Sequence, residues 1–475
     1  MTRDKLWSGF GLVTPLDARV AGPIPTGISG VSIDTRTIEP GDLFVAIKGD
    51  TSDGHDHVAT AFEKGAAAAV VDESHYDMVR GRGSLYIVTD TLKAMQSLGR
   101  AARARTDAKI VAVTGSVGKT GTKEALRLVL SGAGETHASA ASYNNHWGVP
   151  LTLARMPRAT QFGVFEIGMN HAGEIEPLTA MVKPHVAIIT TVAPVHLEFF
   201  RSVSEIADAK AEIFSGLQPG GTAIINRDID TFYRLLTRAE ASPAARVLTF
   251  GEHPEADARL DSLTPELNGS SVQATIHGRP VHFRLGAPGR HLAMNALAVL
   301  LAAAEVGIDP FFASLALAAY SAGPGRGERT ILQTEAGPIT LIDESYNANP
   351  ASMRAALALL GSTPVGDGGR RIAVLGDMRE LGPDAPALHE ALAGEVQAQS
   401  VDLLFAAGPL TRPLYDAVPS ATRGLWAEQS TAIQAPLAAA LRAGDVVMVK
   451  GSNGSKMGPL VAALKSQFAP RSGEV

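Results

Sequence analysis

The sequence predicts an α/β chain of three domains, each built on mostly parallel strands layered with helices. Three observations carry this. The 475 residues exceed what one hydrophobic core organises, so two to four domains are expected, with three the natural division. Aliphatic residues and Ala dominate, aromatics make up only 5% of the chain, and 48 glycines supply tight turns between strands and helices. Short apolar runs bounded by turn residues alternate with helical segments along most of the length.

From Val31 to Asp72 the pattern SIDTRTIEPGDLFVAIKG precedes a helical segment, His57 to Lys64, and an apolar run, Ala66 to Val71, which together read as a small α/β unit. A helical pattern from Leu92 to Arg105 leads into the apolar strand Ile110 to Val113, where a Gly-rich turn opens a helix running through Leu130. Runs at Val164 to Ile167, Val186 to Thr190 and Ala223 to Ile225 continue a βα repeat in a mostly parallel sheet. Val247 to Leu285 has short strand-like pieces and turn signals at Asn268-Gly269 and His277-Gly278, predicting an antiparallel insertion before a helix from His291 to Val306. Gly and Pro cluster between Ser321 and Gly327, the composition of a hinge. Beyond it, runs at Thr340 to Ile342, Ile372 to Leu375, Leu403 to Ala406 and Val446 to Val449 alternate with helices such as Ser352 to Leu360, a Rossmann-like pattern. The expected domains are residues 1–85, 86–323 and 324–475, with a polar tail after Ala469.

Composition excludes several functions. The formal charge of −6 and the lack of a basic arm speak against nucleic acid as a partner. With no Cys, the chain has neither disulfides nor thiolate metal ligands nor a thiol nucleophile. The opening MTRDKLWSGF lacks an apolar export core, and no later stretch has the uncharged length of a membrane span. A cytoplasmic, monomeric protein is expected.

The sharpest chemical signal is VAVTGSVGKT, from Val111 to Thr120: a buried-type strand, a Gly-rich turn and a helix start. Consecutive backbone N–H groups at a helix N-terminus surround phosphate oxygens, Lys119 can reach the outer phosphates of ATP, and the Thr120 hydroxyl can ligate Mg²⁺. The general phosphate-loop pattern has a Gly five residues before Gly118, where this chain has Val113, so the generic pattern fails at one position. The bland alternative is a tight βα turn with an exposed Lys.

Three further residues are ambiguous on spacing alone. Glu166 places a carboxylate in the apolar run FEIGM, an expensive position unless it meets a cation such as Mg²⁺; a strand-end Glu paired with Lys fits equally well. His196 follows the run Val186 to Thr190 at the carboxyl end of a strand, where open parallel sheets bind ligands, although a loop His is more often structural. Lys210, in the helical segment ADAKAEI, reads as a solvated-face lysine.

Several stretches resemble the Mur ligases: TGSVGKT (114–120), whose phosphate loop also lacks the first Gly; DTRTIEPGDLFVAIKG (34–49); NNHWGVPLTL (144–153); EIGMN (166–170); DESYNANP (343–350); and LGDMRELG (375–382). The resemblance covers nearly the whole chain. It implies an N-terminal domain for a UDP-sugar, a central ATP-binding domain with a phosphate-loop ATPase-like parallel sheet, and a C-terminal Rossmann-like ligase domain. It is closest to members that join D-alanyl-D-alanine to UDP-N-acetylmuramoyl-tripeptide through an acyl phosphate, which makes those two small molecules the expected substrates. ATP contacts are implied for Gly115, Ser116, Val117, Gly118, Lys119, Thr120, His291, Asn295, Arg326 and Asp343. Two Mg²⁺ sites are implied at Thr120, Glu166, His196 and Lys210, with Lys210 carbamylated by CO₂, so that Lys119, Glu166, His196 and Lys210 form the catalytic set. Ser32, Asp34, Thr35 and Arg36 are implied for the uridine diphosphate, Asn144 and Asn145 for the muramoyl peptide, and Tyr346, Asn347 and Asn349 for adenine or the incoming dipeptide. In the loop KGSNGSK (450–456), Asn453 stands where the family usually has Arg. A related ligase, a folylpolyglutamate synthase or the enzyme adding the third peptide residue, would share the central motifs but not DTR with DESYNANP. A regulatory nucleotide-binding module would not need Lys119, Glu166, His196 and Lys210 together.

Overall fold

The structure, a computed structural model, describes residues 4–469 except positions 50, 141, 196, 267, 268 and 335. The polar tail, His196 and Asn268 of the expected turn therefore lie outside the described residues.

Three sheets succeed one another along the chain. The first contains β1 (Arg19–Ala21), β2 (Gly30–Ser32), β3 (Asp42–Val45), β4 (Ala68–Asp72) and β5 (Leu85–Val88) in the order β1-β5-β4-β3-β2, parallel except for β1. The second contains β6 (Lys109–Thr114), β7 (Thr136–Ala138), β8 (Phe162–Glu166), β9 (Val186–Ile189), β10 (Thr222–Asn226), β11 (Arg246–Gly251), β12 (Ala258–Glu266), β13 (Gly269–Ile276) and β14 (Arg279–Leu285), in the order β14-β13-β12-β11-β10-β9-β6-β8-β7. The third contains β15 (Glu328–Thr334), β16 (Gly337–Glu344), β17 (Arg371–Gly376), β18 (Leu403–Ala407), β19 (Arg423–Ala427) and β20 (Val446–Lys450), in the order β15-β16-β20-β17-β18-β19. Apolar clusters cover both faces of each sheet, which is why the parallel strands read as unbroken hydrophobic runs.

Two expectations need correction. The expected antiparallel insertion is narrower than Val247 to Leu285: β11 pairs parallel to β10 and β12, while β12, β13 and β14 form the antiparallel meander, as an extension of the same sheet. The reason is burial, because Leu248 and Phe250 pack under the helix Arg290–Glu305 with the rest of the central core. The boundary between residues 85 and 86 falls inside β5, which belongs whole to the first sheet.

The following helix, Thr91–Ala104, capped by Asp90, packs Met95 and Leu98 into the first domain's core together with Leu151 and Ala154 from the second. Polar contacts reinforce this seam. Trp7 Nε1 donates to the carbonyl of Ala154 at 3.0 Å, and the Arg105 guanidinium lies 3.4 Å from the centre of the Trp7 ring while donating to the carbonyls of Leu6 and Met156. Arg155 donates to the carbonyl of Val31 at 2.6 Å. First and second domains thus form one packed body.

Candidate functional site

The phosphate loop begins where β6 ends. Gly115, at φ 152°, leaves room for Thr190, since a Cβ there would overlap the threonine hydroxyl. Gly118, at φ 89°, occupies the N-cap of the helix Lys119–Ser131, and a Cβ there would stand 2.6 Å from Asn295 Nδ2. The missing glycine of the general pattern is explained by register: Val113 is still in β6, fully buried between Glu166 of β8 and Ile188 of β9, so the turn starts two residues later. Thr190 Oγ1 donates to the carbonyl of Val117 at 2.6 Å, and Ser116 donates through its amide to Thr191 O and exchanges hydrogen bonds with Ala193. The loop is therefore fixed by the end of the neighbouring strand.

Thr120, Glu166 and Asn144 converge beneath this loop. Glu166 is the last residue of β8 and is 2% exposed. Its carboxylate accepts from Thr120 Oγ1 at 2.8 Å and from Asn144 Nδ2 at 2.7 Å, so its hydrogen-bonding partners are a hydroxyl and an amide. Lys119 Nζ donates to the carbonyl of Gly115 at 2.6 Å. Burial holds this amine below its ordinary range, Arg326 adding to the effect and Glu166 opposing it.

Lys210 departs most from the spacing-based reading. It lies in the helix Val203–Ala211 and is 2% exposed, not on a solvated face. Among the described residues its amine has no hydrogen-bonding partner. Burial, with the nearby Lys119 charge, pushes it well below the ordinary lysine range; Lys210 itself does not line the cavity between the second and third domains.

The hinge closes the opposite wall. Gly325 N donates to Asp343 Oδ2 at 3.0 Å, and Ser345 donates to Oδ1 through both its amide and hydroxyl, so the buried Asp343 carboxylate ties hinge to third sheet. Arg326 Nη2 donates to Ser142 Oγ at 3.2 Å, and that hydroxyl lies 3.3 Å from Thr120 Oγ1. Lys450, at the end of β20, is ion-paired with Glu344 at 3.2 Å and donates to Asn347 O at 2.8 Å. Asn347 caps its own turn, and Asn349 forms a capping box with Ser352 at the start of the helix Pro350–Ser362. Between the two walls lies a cavity of about 470 Å³, lined from the second domain by residues including Lys119, Thr120, Glu166, His291 and Asn295, and from hinge and third domain by residues including Arg326, Glu344, Tyr346 and Lys450. Burial holds the His291 imidazole below its ordinary range; Lys450 adds to this and Glu344 opposes it.

The first domain's expected residues sit on the loop after β2. Ser32 Oγ is 3.1 Å from Asp34 O and accepts from Asp34 N, Thr35 O accepts from Lys64 Nζ, and Asp34 chelates the exposed Arg36 side chain. Arg36 holds the Asp34 carboxyl below the usual carboxylate range. Asn145 caps the helix Gly148–Ala154 through Gly148 N. None of these first-domain residues lines the 470 Å³ cavity, whereas Asn144 does.

Residues that spacing did not single out also build the site. Ser142 joins Thr120 to Arg326; its only signal is proximity to Asn144. Glu344 and Lys450 end apolar strands, the same signal that marked Glu166. Elsewhere, Asp53, His55 and His75 cluster in the first domain, but the two imidazoles stack 4.0 Å apart and 15° from parallel. His55 Nδ1 meets Asp53, and Nε2 accepts from Asp72 N. Near-parallel rings do not aim their lone pairs at one ion, so this is a hydrogen-bonded clasp.

Comparison with known proteins covers nearly all of this framework. Residues 27–106 match the Mur ligase family catalytic domain, residues 113–303 the Mur ligase middle domain, and residues 325–453 the Mur ligase glutamate ligase domain. A Rickettsia prowazekii protein named UDP-N-acetylmuramoyl-tripeptide–D-alanyl-D-alanine ligase is 30% identical over 96% of this chain and 99% of its own. A crystal structure of MurF from Acinetobacter baumannii superposes with a TM-score of 0.84 at 28% identity, covering 98% of this chain and all of that one. MurF from Thermotoga maritima in complex with ADP superposes with a TM-score of 0.77 at 25% identity, covering 93% and 98%.

Proposed function

The chain belongs to the Mur ligase family, and we propose that it is the ATP-dependent ligase that joins D-alanyl-D-alanine to UDP-N-acetylmuramoyl-tripeptide in peptidoglycan precursor synthesis. The observation that carries this reading is the single cavity in which Lys119 and Thr120 of the phosphate loop meet Arg326 of the hinge and Lys450 of the third domain.

In this reading a tripeptide carboxylate oxygen attacks the γ-phosphorus of ATP, the bond to the ADP oxygen breaks, and an acyl phosphate forms. The dipeptide amine then attacks the acyl carbon, phosphate leaves with the C–O bond electrons, and the amine gives up a proton. Two anions must approach in the first step, so cations have to be placed where charge builds up. Lys119 and Arg326 are those cations, and the amides from Val117 to Thr120 cradle the phosphates, with Gly115 and Ser116 shaping the loop beside them. Asn295 and Asp343 complete the ATP contacts. Ser32, Asp34, Thr35 and Arg36 take the uridine diphosphate, Asn144 and Asn145 the muramoyl peptide, and Tyr346, Asn347 and Asn349 the adenine or dipeptide side. Residues through Val88 form the nucleotide-sugar domain, those up to the hinge the ATP domain, and those from 324 the acceptor domain.

The donor set under the loop fits Mg²⁺: a hydroxyl and a buried carboxylate 2.8 Å apart are hard oxygen ligands. Thr120, Glu166, His196 and Lys210 would hold two ions, which supply charge neutralisation on the phosphates. Lys210 suits this only as a carbamate. In its deprotonated form the buried amine would attack CO₂, forming an N–C bond and releasing a proton, and the product would be an oxygen ligand. Among the described residues no helix is long and apolar enough to cross a membrane; the reading is of a cytoplasmic monomer.

The test is phosphate release with purified protein, ATP and Mg²⁺. Sustained release is expected only when UDP-N-acetylmuramoyl-tripeptide and D-alanyl-D-alanine are both present. No release with the complete set, or the same release without the dipeptide, overturns the assignment.

A further inference from the structure

Arg326 reaches the phosphate site from a hinge backbone pinned to the third sheet, where Gly325 N donates to Asp343 Oδ2 at 3.0 Å and Gly327 N to Asp343 O at 2.7 Å. Its flanking residues are Gly325, at φ 73°, and Gly327, at φ 100°, so no neighbouring side chain steers the long arginine side chain. What steers that side chain is a residue of the third domain. The Arg326 guanidinium sits over the Tyr346 ring, its central carbon 3.9 Å from the ring centre. The same residue holds the hinge by its backbone: Tyr346 N donates to Gly325 O at 3.0 Å, and a Cβ on Gly325 would stand 2.9 Å from Tyr346 Cβ. On its other side Arg326 donates to Ser142, which contacts Thr120.

We infer that Tyr346 is a positioning residue: its ring is a platform that aims Arg326 at the transferring phosphoryl group when the third domain is docked. The inference rests on the ligase reading above and refines it, because a ring face covered by a guanidinium is not available to stack on adenine. A planar cation on an aromatic face, partly shielded from water, is attracted to the ring and loses rotational freedom. Closure of the third domain is thereby linked to completion of the charge around the γ-phosphate.

The experiment is a double-mutant cycle on phosphate release by the full chain, with melting temperature as the folding control. Tyr346 is 43% exposed, so Tyr346→Leu is expected to lower kcat about 2- to 5-fold, the range of one exposed cation–π contact, with a smaller change in the KM for ATP. Tyr346→Phe, which keeps the ring face, should recover most of that loss. In an Arg326→Ala background, Tyr346→Leu should cost nothing further, because the platform then has nothing to aim. An undiminished loss in the Arg326→Ala background, or a Tyr346→Phe variant as slow as Tyr346→Leu, overturns the inference and returns Tyr346 to direct substrate contact. Absence of release by the unmodified protein would instead overturn the ligase reading itself.

Discussion

Replacing Lys210 with Met separates a structural from a chemical role by sign. The two side chains have similar length and volume, so the substitution leaves no cavity of consequence. Lys210 is 2% exposed and its amine has no hydrogen-bonding partner among the described residues. A buried polar group left unpaired costs about 1–3 kcal/mol, and Met removes that cost. For a domain of this size each kcal/mol moves the melting temperature by about 2–4 °C. In bicarbonate-free buffer without substrates, Lys210→Met should therefore melt roughly 2–12 °C higher than the unmodified protein by scanning calorimetry. Under the proposed carbamate role, phosphate release should meanwhile fall at least about 100-fold, because the variant cannot form that oxygen ligand. A variant that melts lower and keeps most of its turnover would show a packing lysine and end the metal role. Lys210→Ala, which leaves room for a small anion, should regain measurable turnover with acetate or formate.

Lys119→Ala should abolish acyl-phosphate formation, a loss of at least about 1,000-fold, with an unchanged melting curve; added carboxylate should not restore it, and near-normal turnover would remove the phosphate-loop assignment. Gly118→Ala forces a side chain into φ 89° against Asn295 and should destabilise the protein by about 1–3 kcal/mol while raising the KM for ATP, which denaturant titration and initial rates would check. His185 accepts from Ile110 N at 3.0 Å, and burial, then Arg103 and Lys109, push its pKa down to about 4. Between that value and the ordinary histidine range the unfolded chain binds a proton that the folded chain does not. Stability should be complete above about pH 6.5 and fall towards pH 4; His185→Asn, whose amide oxygen can take the Ile110 N–H, should flatten that slope, and an unchanged slope would refute the assignment.

The parallel strands were legible because each is apolar on both faces: Val111 to Val113, Val186 to Ile189 and Val446 to Val449 all proved to be buried sheet. Edge strands were not, since β7, β15 and β19 are partly exposed and carry no continuous apolar run. The phosphate loop was legible from local sequence, and its apparent defect at Val113 came from strand register. Lys210 was misread on spacing because alanines on either side disguise a buried position that only packing between distant segments creates. Ser142 acts across the domain seam through Arg326, and Glu344 pairs with Lys450 on a strand distant in sequence, relations that no local pattern encodes.

The seam at Trp7, Arg105 and Arg155 has a mechanical consequence. With Leu151 and Ala154 of the second domain packed into the first domain's core, the surfaces expected to hold nucleotide-sugar and ATP are held together, whereas the third domain is joined through a glycine-rich segment. Any movement of the third domain over the other two should therefore be borne by that segment. Distance labels placed on the first and second domains should stay in register through turnover, while a pair spanning residues 321–327 reports every cycle.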